Sequence, residues 1–147
     1  MQPTIRPATP ADMPSVLGLL QDAGLPTAGL EDHVGNLFVL ADGSTVLGAV
    51  GFEAYHPIAL LRSLVVHPCA RGRGWGRRLL SFIIEEVSRQ GFIGAYGLTT
   101  TIPELLRAFA FTEIRREDLP PGLFASAELR GACPSTARVF VRTIGVT

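Results

Sequence analysis

Lysine is missing from this chain of 147 residues, so all thirteen basic side chains are arginine. That absence excludes a P-loop, whose Gly-Lys-Ser/Thr needs a lysine at the phosphates. Cysteine is nearly missing too. Cys69 and Cys133 stand far apart, which excludes a disulfide scaffold, fits a reducing cytoplasm and gives no metal-ligand spacing. No apolar run approaches the roughly 18–20 residues of a membrane span, and the first residues lack the basic-then-apolar pattern of a secretory signal. Net charge is also lacking: thirteen acids balance thirteen arginines. No general attraction to nucleic acid or to a membrane surface follows from such a balance.

The charges that are present are unevenly placed. No acid lies between Glu53 and Glu85, yet Arg62, Arg71, Arg73, Arg77 and Arg78 fall in that stretch. One purely basic segment thus sits in a neutral protein. Arginine suits planar, bidentate contacts to phosphate and carboxylate. Hydrophobic residues make up 47% of the chain, enough for one domain over residues 1–147 to bury a core without staples.

Periodicity and turn residues predict a short edge strand at Ile5-Arg6-Pro7-Ala8 and a helix over 10–23. A loop with a short helix over 25–34 follows. Strands are predicted at 37–40, 45–53 and 59–67, with a turn at Ala41-Asp42-Gly43-Ser44. A strong amphipathic helix is predicted over 77–89, with Leu79, Leu80, Phe82, Ile83 and Val87 on its buried side. Beyond it come a strand over 93–101, a short helix over 103–109, a strand over 111–116, a loop and helix within 119–131, and a last strand over 138–143. Meandering strands followed by alternating strands and helices predict an α/β domain with a mixed sheet.

Between the third strand and the strong helix lies Val66-His67-Pro68-Cys69-Ala70-Arg71-Gly72-Arg73-Gly74-Trp75-Gly76. Glycines allow tight turns and close approach of a ligand to the backbone. A helix start leaves N–H groups that suit an anion. Arg77 and Arg78 stand in the first turn, where the helix dipole disfavours a cation by roughly 0.3–1 kcal/mol unless an anion is near. The segment is arranged around a phosphate group. A dinucleotide fingerprint starting at Gly72 would need glycine where Arg77 stands.

At these residues the chain resembles the GNAT superfamily of N-acetyltransferases, whose Gln/Arg-x-x-Gly-x-Gly/Ala loop is matched by Arg71-Gly72-Arg73-Gly74-Trp75-Gly76. Leu61-Arg62-Ser63-Leu64-Val65-Val66-His67-Pro68 shares the family's look, and the likeness runs from Ile5 through Phe111. The resemblance implies a mixed, mostly antiparallel sheet flanked by helices, with two central strands splayed apart. It implies acetyl-CoA as co-substrate and no metal. Backbone N–H groups from Arg71 to Arg77 would hold the pyrophosphate. Leu64, Val65 and Val66 would pair with the pantetheine arm, an N–H near Val65 polarising the thioester. Trp75 would cover the CoA or pack on the sheet.

Glu53, Leu60-Leu61-Arg62-Ser63-Leu64, Leu98-Thr99-Thr100-Thr101 and Cys133-Pro134-Ser135-Thr136-Ala137 together resemble the ArsN-type acetyltransferases associated with arsenic resistance. They are also similar to short N-acetylglutamate synthases. Both imply a small amino-acid-like amine as partner. Glu53, ending an apolar strand, is the first candidate for the base that deprotonates the amine, and His67 is the second. Arg62, inside an apolar strand, needs an anionic partner. That partner is either the acceptor's carboxylate, the favoured reading, or a fixed acid such as Glu53. Thr99 and Thr100 would line the same cleft. Leu106 stands where the family places a tyrosine acid, and Tyr55, Tyr96 or water could serve instead. Without that acid the chain could also be an acyl-CoA sensor that has lost catalysis. The apolar C-terminal third could cover the sheet edge or form a homodimer contact.

Overall fold

The computed structural model describes residues 2–129 and 137–144. Strand β1 (Thr4–Pro7) is followed by helix α1 (Met13–Asp22) and a run of 3-10 turns (Leu30–Asn36). Strands β2 (Leu37–Asp42), β3 (Thr45–Tyr55) and β4 (Ile58–Val66) form a meander. Helix α2 (Trp75–Arg89), strand β5 (Gly94–Thr99), helix α3 (Pro103–Ala108), strand β6 (Thr112–Ile114) and strand β7 (Arg138–Thr143) complete the described chain. One sheet contains all seven strands in the order β1-β2-β3-β4-β5-β7-β6. Only β4 and β5 run parallel.

Alternation along the strands gives the sheet two buried faces. In β2, Phe38 and Leu40 turn toward Leu79, Leu80, Ile83 and Val87 of α2. Leu37, Val39 and Ala41 turn the other way, toward Met13, Val16, Leu19 and Leu20 of α1. The helices therefore sandwich the sheet. Their apolar stripes were legible in the sequence because the period-3.6 spacing is strong in both. Several predicted bounds shift, among them the strand expected over 93–101, which ends at Thr99, and the strand expected over 111–116, which ends at Ile114. The helix expected at 77–89 begins at Trp75, because the backbone enters the helix directly from Gly74. The first helix opens with a single 3-10 turn, Pro10–Asp12, before α1. Within 119–131, the region expected to hold a loop and helix, the described residues include the 3-10 turn Pro121–Ala125.

Asp12 ties that first turn to the edge strand. Its carboxylate accepts from both Nη atoms of Arg6 at 2.8 and 3.0 Å, and from the Thr9 N–H at 2.7 Å. The hydrogen bonds from Arg6, outweighing burial, hold the Asp12 carboxyl far below the usual carboxylate range. A depressed acid contributes stability above its unfolded value, near 3.9, and loses it as pH falls toward the folded value. Arg6 is about one-third exposed, so solvent screens the charge term. Asp12→Ala is expected to cost about 1–2 kcal/mol in urea unfolding at pH 7. The difference from wild type should shrink in acid.

Candidate active site

The site begins with a failure of strand pairing. β4 and β5 pair only at Ile58↔Gly94, Ala59↔Ala95, Leu60↔Tyr96 and Leu61↔Gly97. Beyond Leu61 the two strands have no further partners in each other. On its other side β4 stays paired to β3, but the register slips between Ala49↔Val65 and Gly51↔Arg62. Ser63 and Leu64 thus stand opposite the single residue Val50, and Ser63 has φ +64°. This is a β-bulge, which bends its strand and adds twist. A non-glycine residue in the left-handed region costs on the order of 1 kcal/mol and is held there by its surroundings. The bulge turns the second half of β4 away from β5 and opens the sheet.

A cleft fills that opening. It is lined by Leu61 to Leu64 on β4, by Gly97 to Ile102 at the end of β5, by Leu80 of α2 and by Leu106 of α3. Gly24, Leu25 and Pro26 wall it on one side, and Glu128 on another. Backbone polar groups reach into the opening as well. His67 N–H donates to Leu47 O at 2.7 Å, so the polar groups of His67 face β3. By antiparallel alternation those of Val65 also face β3, and those of Leu64 and Val66 face the opening. Leu64 and the Val66 N–H therefore present a strand edge there, the Val66 carbonyl oxygen being taken by Arg71, whereas Val65 points its side chain into the core beneath α1. The N–H expected near Val65 has its candidates in the two neighbours, Leu64 and Val66.

At the outer end of this edge the glycine-punctuated loop turns into α2. Gly72 (φ +80°) and Gly74 (φ +82°) adopt the left-handed conformation, and Gly74 is the N-cap. A Cβ at 72, 74 or 76 would meet no protein atom within 4 Å. At 72 and 74 glycine is needed for the backbone angle. At 76 no positive φ is involved, and alanine would be a better helix former. The first helical amide bond is Arg78 N–H to Gly74 O at 3.1 Å. The N–H groups of Trp75, Gly76 and Arg77 precede it, and the N-cap has no side chain to cover them. No acid stands in the first turn.

Basic side chains surround these amides. Arg71 Nε donates to Val66 O at 3.0 Å and ties the loop to the end of β4. The Arg78 guanidinium lies 4.6 Å from the Trp75 ring, and Trp75 itself rests partly on the core. Arg71, Arg73, Arg77 and Arg78 form no ion pair among the described residues. His67 caps the preceding turn: its Nδ1 accepts from the Cys69 N–H at 3.0 Å. His67 thus has a structural role, and Cys69 is exposed. Cys133, together with the rest of Cys133-Pro134-Ser135-Thr136, lies outside the described residues.

The other expected residues are arranged differently from the favoured reading. Arg62 and Glu53 find each other. Arg62 Nη1 donates to Glu53 Oε2 at 2.7 Å, with both side chains at 1% exposure or less. The internal pair weighed as the alternative is what forms. Arg62 also donates to Ala28 O at 3.0 Å, to Pro26 O at 3.4 Å and, through Nε, to Ser63 Oγ at 3.0 Å. Glu53 accepts from Tyr55 Oη at 2.6 Å, and His33 Nε2 lies 3.7 Å from it. Burial pushes the Glu53 carboxyl up. Hydrogen bonds from Tyr55, Ser126 and Arg62 outweigh that and leave it below the ordinary carboxylate value. Such a carboxylate is a weak base, and Glu53 does not line the cleft. Tyr55 is pushed up to about 12 by burial and by its bond to Glu53, which makes it a poor proton donor.

Thr99 and Thr100 do line the cleft. The Thr99 hydroxyl oxygen already accepts the Thr101 and Ile102 N–H groups at 3.1 and 2.9 Å, which starts α3. Thr100 is exposed. Leu106 is buried and lines the cleft at the place where a hydroxyl was looked for. Sequence reasoning missed three polar groups: Ser63, Glu128 and His33. His33 stands at a kink within the 3-10 turns, with non-helical backbone angles of φ −123° and ψ 20°. Only the long-range contacts of the fold connect these residues, so no local pattern announced them.

Comparisons with known proteins bear on this arrangement. A family model described as an acetyltransferase (GNAT) domain matches residues 33–113, more than half of the chain. No curated protein matches at the sequence level. Among solved structures, N-acetylglutamate synthase from Neisseria gonorrhoeae, complexed with coenzyme A and N-acetyl-glutamate, superposes with TM-score 0.84 at 22% identity. The match covers 99% of this chain but 36% of that one, so the chain spans about a third of that enzyme's length. Rv2747 from Mycobacterium tuberculosis, in a complex that includes CoA, gives TM-score 0.80 at 15% identity, covering 97% of this chain and 100% of the other. A phosphinothricin acetyltransferase from Sinorhizobium meliloti, complexed with AcCoA, gives 0.73 at 19%, covering 99% and 90%. At these identities the likeness is one of fold. With the family model matching the splayed strands and the glycine-punctuated loop between them, the chain belongs to the GNAT acetyltransferase family.

Proposed function

We propose that this protein transfers an acetyl group from acetyl-CoA to the amine of a small amino-acid-like acceptor. Glutamate and its arsenic- or phosphorus-containing analogues are the acceptors to try first. One observation carries the reading. The uncovered amides of Trp75, Gly76 and Arg77, open space over Gly72, Gly74 and Gly76, and four arginines without carboxylate partners among the described residues all belong to the short stretch from the end of β4 into α2. That set fits a diphosphate. Arg71 to Arg77 would hold it, and the edge offered by Leu64 and the Val66 N–H would pair with an extended amide arm by strand addition. When bound, the co-substrate supplies an acetyl thioester, the electrophile.

The chain's own residues do the rest. The aliphatic lining from Leu61, Leu64, Leu80 and Leu106 excludes water, which strengthens polar interactions inside. Thr100, at the exposed rim, is a contact for the acceptor. Arg62 and Glu53 hold the wall at Pro26 and Ala28, and through that wall they shape the acceptor side. The earlier roles, Glu53 as base and Arg62 as ligand of a free carboxylate, give way to this because each already neutralises the other. The acceptor's proton leaves to water or to a cleft group. A second reading, an acyl-CoA sensor without turnover, draws on Leu106, which puts a hydrocarbon where a proton donor would stand.

Thiol release from acetyl-CoA, followed across amino acids including glutamate and phosphinothricin, tests the proposal. An acceptor-dependent rate on at least one of them is expected. Tight CoA binding with no acceptor-dependent rate would select the sensor. No binding would reject both readings.

A further inference from the structure

Ser63 combines four features that no other residue of the cleft shares. It stands two positions past the last β4–β5 pair, at the apex of the opening. It holds a left-handed backbone angle that glycine would adopt without strain. It is 8% exposed, and it lines the cleft. Its Oγ is also fixed in role. Arg62 Nε carries one hydrogen and donates it to Ser63 Oγ, and Glu53 and the carbonyl oxygens of Pro26 and Ala28 hold that guanidinium in place. A hydroxyl that accepts from a guanidinium is left with its own hydrogen to give. Among the described residues no protein acceptor takes it.

The bulge needs only a residue able to adopt positive φ, so a glycine would satisfy the backbone. A serine there, aimed by a buried ion pair, points to work done by the hydroxyl. Next to it along the chain is Leu64, whose N–H faces the same opening. The resemblance already implies a backbone donor near Val65 for the thioester carbonyl; we propose that Ser63 Oγ–H is a second donor to that oxygen beside the Leu64 N–H, stabilising the negative charge that grows on it during acyl transfer. Ser63 is then a catalytic hydrogen-bond donor, and Arg62 and Glu53 are positioning residues that set the direction of its proton. No proton is transferred from Ser63: the hydrogen bond strengthens as the carbonyl gains charge and relaxes when the carbonyl reforms. This inference rests on acetyl-CoA as the co-substrate.

The test does not need the acceptor. Acetyl-CoA labelled with carbon-13 at the thioester carbonyl is bound to wild type, Ser63→Gly and Arg62→Lys, and the carbonyl stretch is read by isotope-edited infrared spectroscopy. Binding to wild type is expected to move the stretch to lower wavenumber. Ser63→Gly, which relieves the backbone angle and should unfold at an equal or higher temperature, is expected to return part of that shift with acetyl-CoA affinity within about twofold. Arg62→Lys keeps a charge but loses the planar fork and should broaden or shift the band in the same direction. With an acceptor that turns over, Ser63→Gly should lower kcat about 100-fold, the usual effect of deleting one such donor. An identical carbonyl frequency in wild type and Ser63→Gly, both saturated, would overturn the role of Ser63 and leave acetyl-CoA binding standing. Failure of wild type to bind acetyl-CoA would overturn both.

Discussion

Gly74→Val should weaken coenzyme A binding by at least about 100-fold, roughly 2.7 kcal/mol, in calorimetry. The reasoning runs through the backbone. Gly74 holds φ +82° as the N-cap of α2, and a β-branched residue is a poor occupant of that region. Relief of the angle rotates the peptide planes that follow and turns the Trp75 and Gly76 N–H groups off target. Each hydrogen bond to a charged group contributes about 1.5–3 kcal/mol, so misaiming two of them accounts for the loss. The Cβ itself meets no protein atom within 4 Å, so packing is not the cause. Stability should fall much less than affinity does. Equal affinity in wild type and Gly74→Val would remove the diphosphate reading.

The largest effect on stability is expected at Arg62. Arg62→Met leaves Glu53 buried without its cationic partner, a change that costs about 3–5 kcal/mol at pH 7. The pH dependence gives the sign. In wild type the Glu53 carboxyl lies below its ordinary value, so the pair contributes stability above that value and loses it as pH falls. Without Arg62 the burial acting on Glu53 is opposed less, and its carboxyl moves up. The gap between wild type and variant should therefore be widest near neutral pH and narrow in acid. Urea unfolding at pH 7 and pH 4 measures this. A double variant, Glu53→Met with Arg62→Met, should recover much of the loss, because an apolar pair of similar volume does not bury a lone charge. A constant gap at both pH values would show that lost packing, not charge, dominates.

The two effects separate the site into parts of different origin. In the proposed reading the coenzyme end is local: the residues from Arg71 to Arg77 would act through their own backbone, in chain order, on one ligand group. The acceptor end is not. Arg62 reaches loop carbonyls at 26 and 28, and Glu53 gathers Tyr55, His33 and Ser126. These groups come from four separate stretches, and their pairing is set by where α1 and the following loop settle on the sheet.

That division explains what could be read without a structure. The chain order of strands and helices, the apolar faces of α1 and α2, and the glycine-punctuated turn into α2 follow from neighbours in sequence. Periodicity and turn chemistry act over a few residues, and there the amino acids alone determined the outcome. An isolated arginine in an apolar strand also determined that some anion must meet Arg62, since a buried charge cannot stand alone. Which anion was decided by tertiary structure. Glu53 faces Arg62 because β3 and β4 pair Glu53↔Leu60 and Gly51↔Arg62, which puts the two side chains on one face as diagonal neighbours just short of the bulge at Ser63 and Leu64. The same bulge gives Ser63 its left-handed angle and opens the cleft. A bulge depends on how two strands match along their whole length, and no short window of residues contains that information.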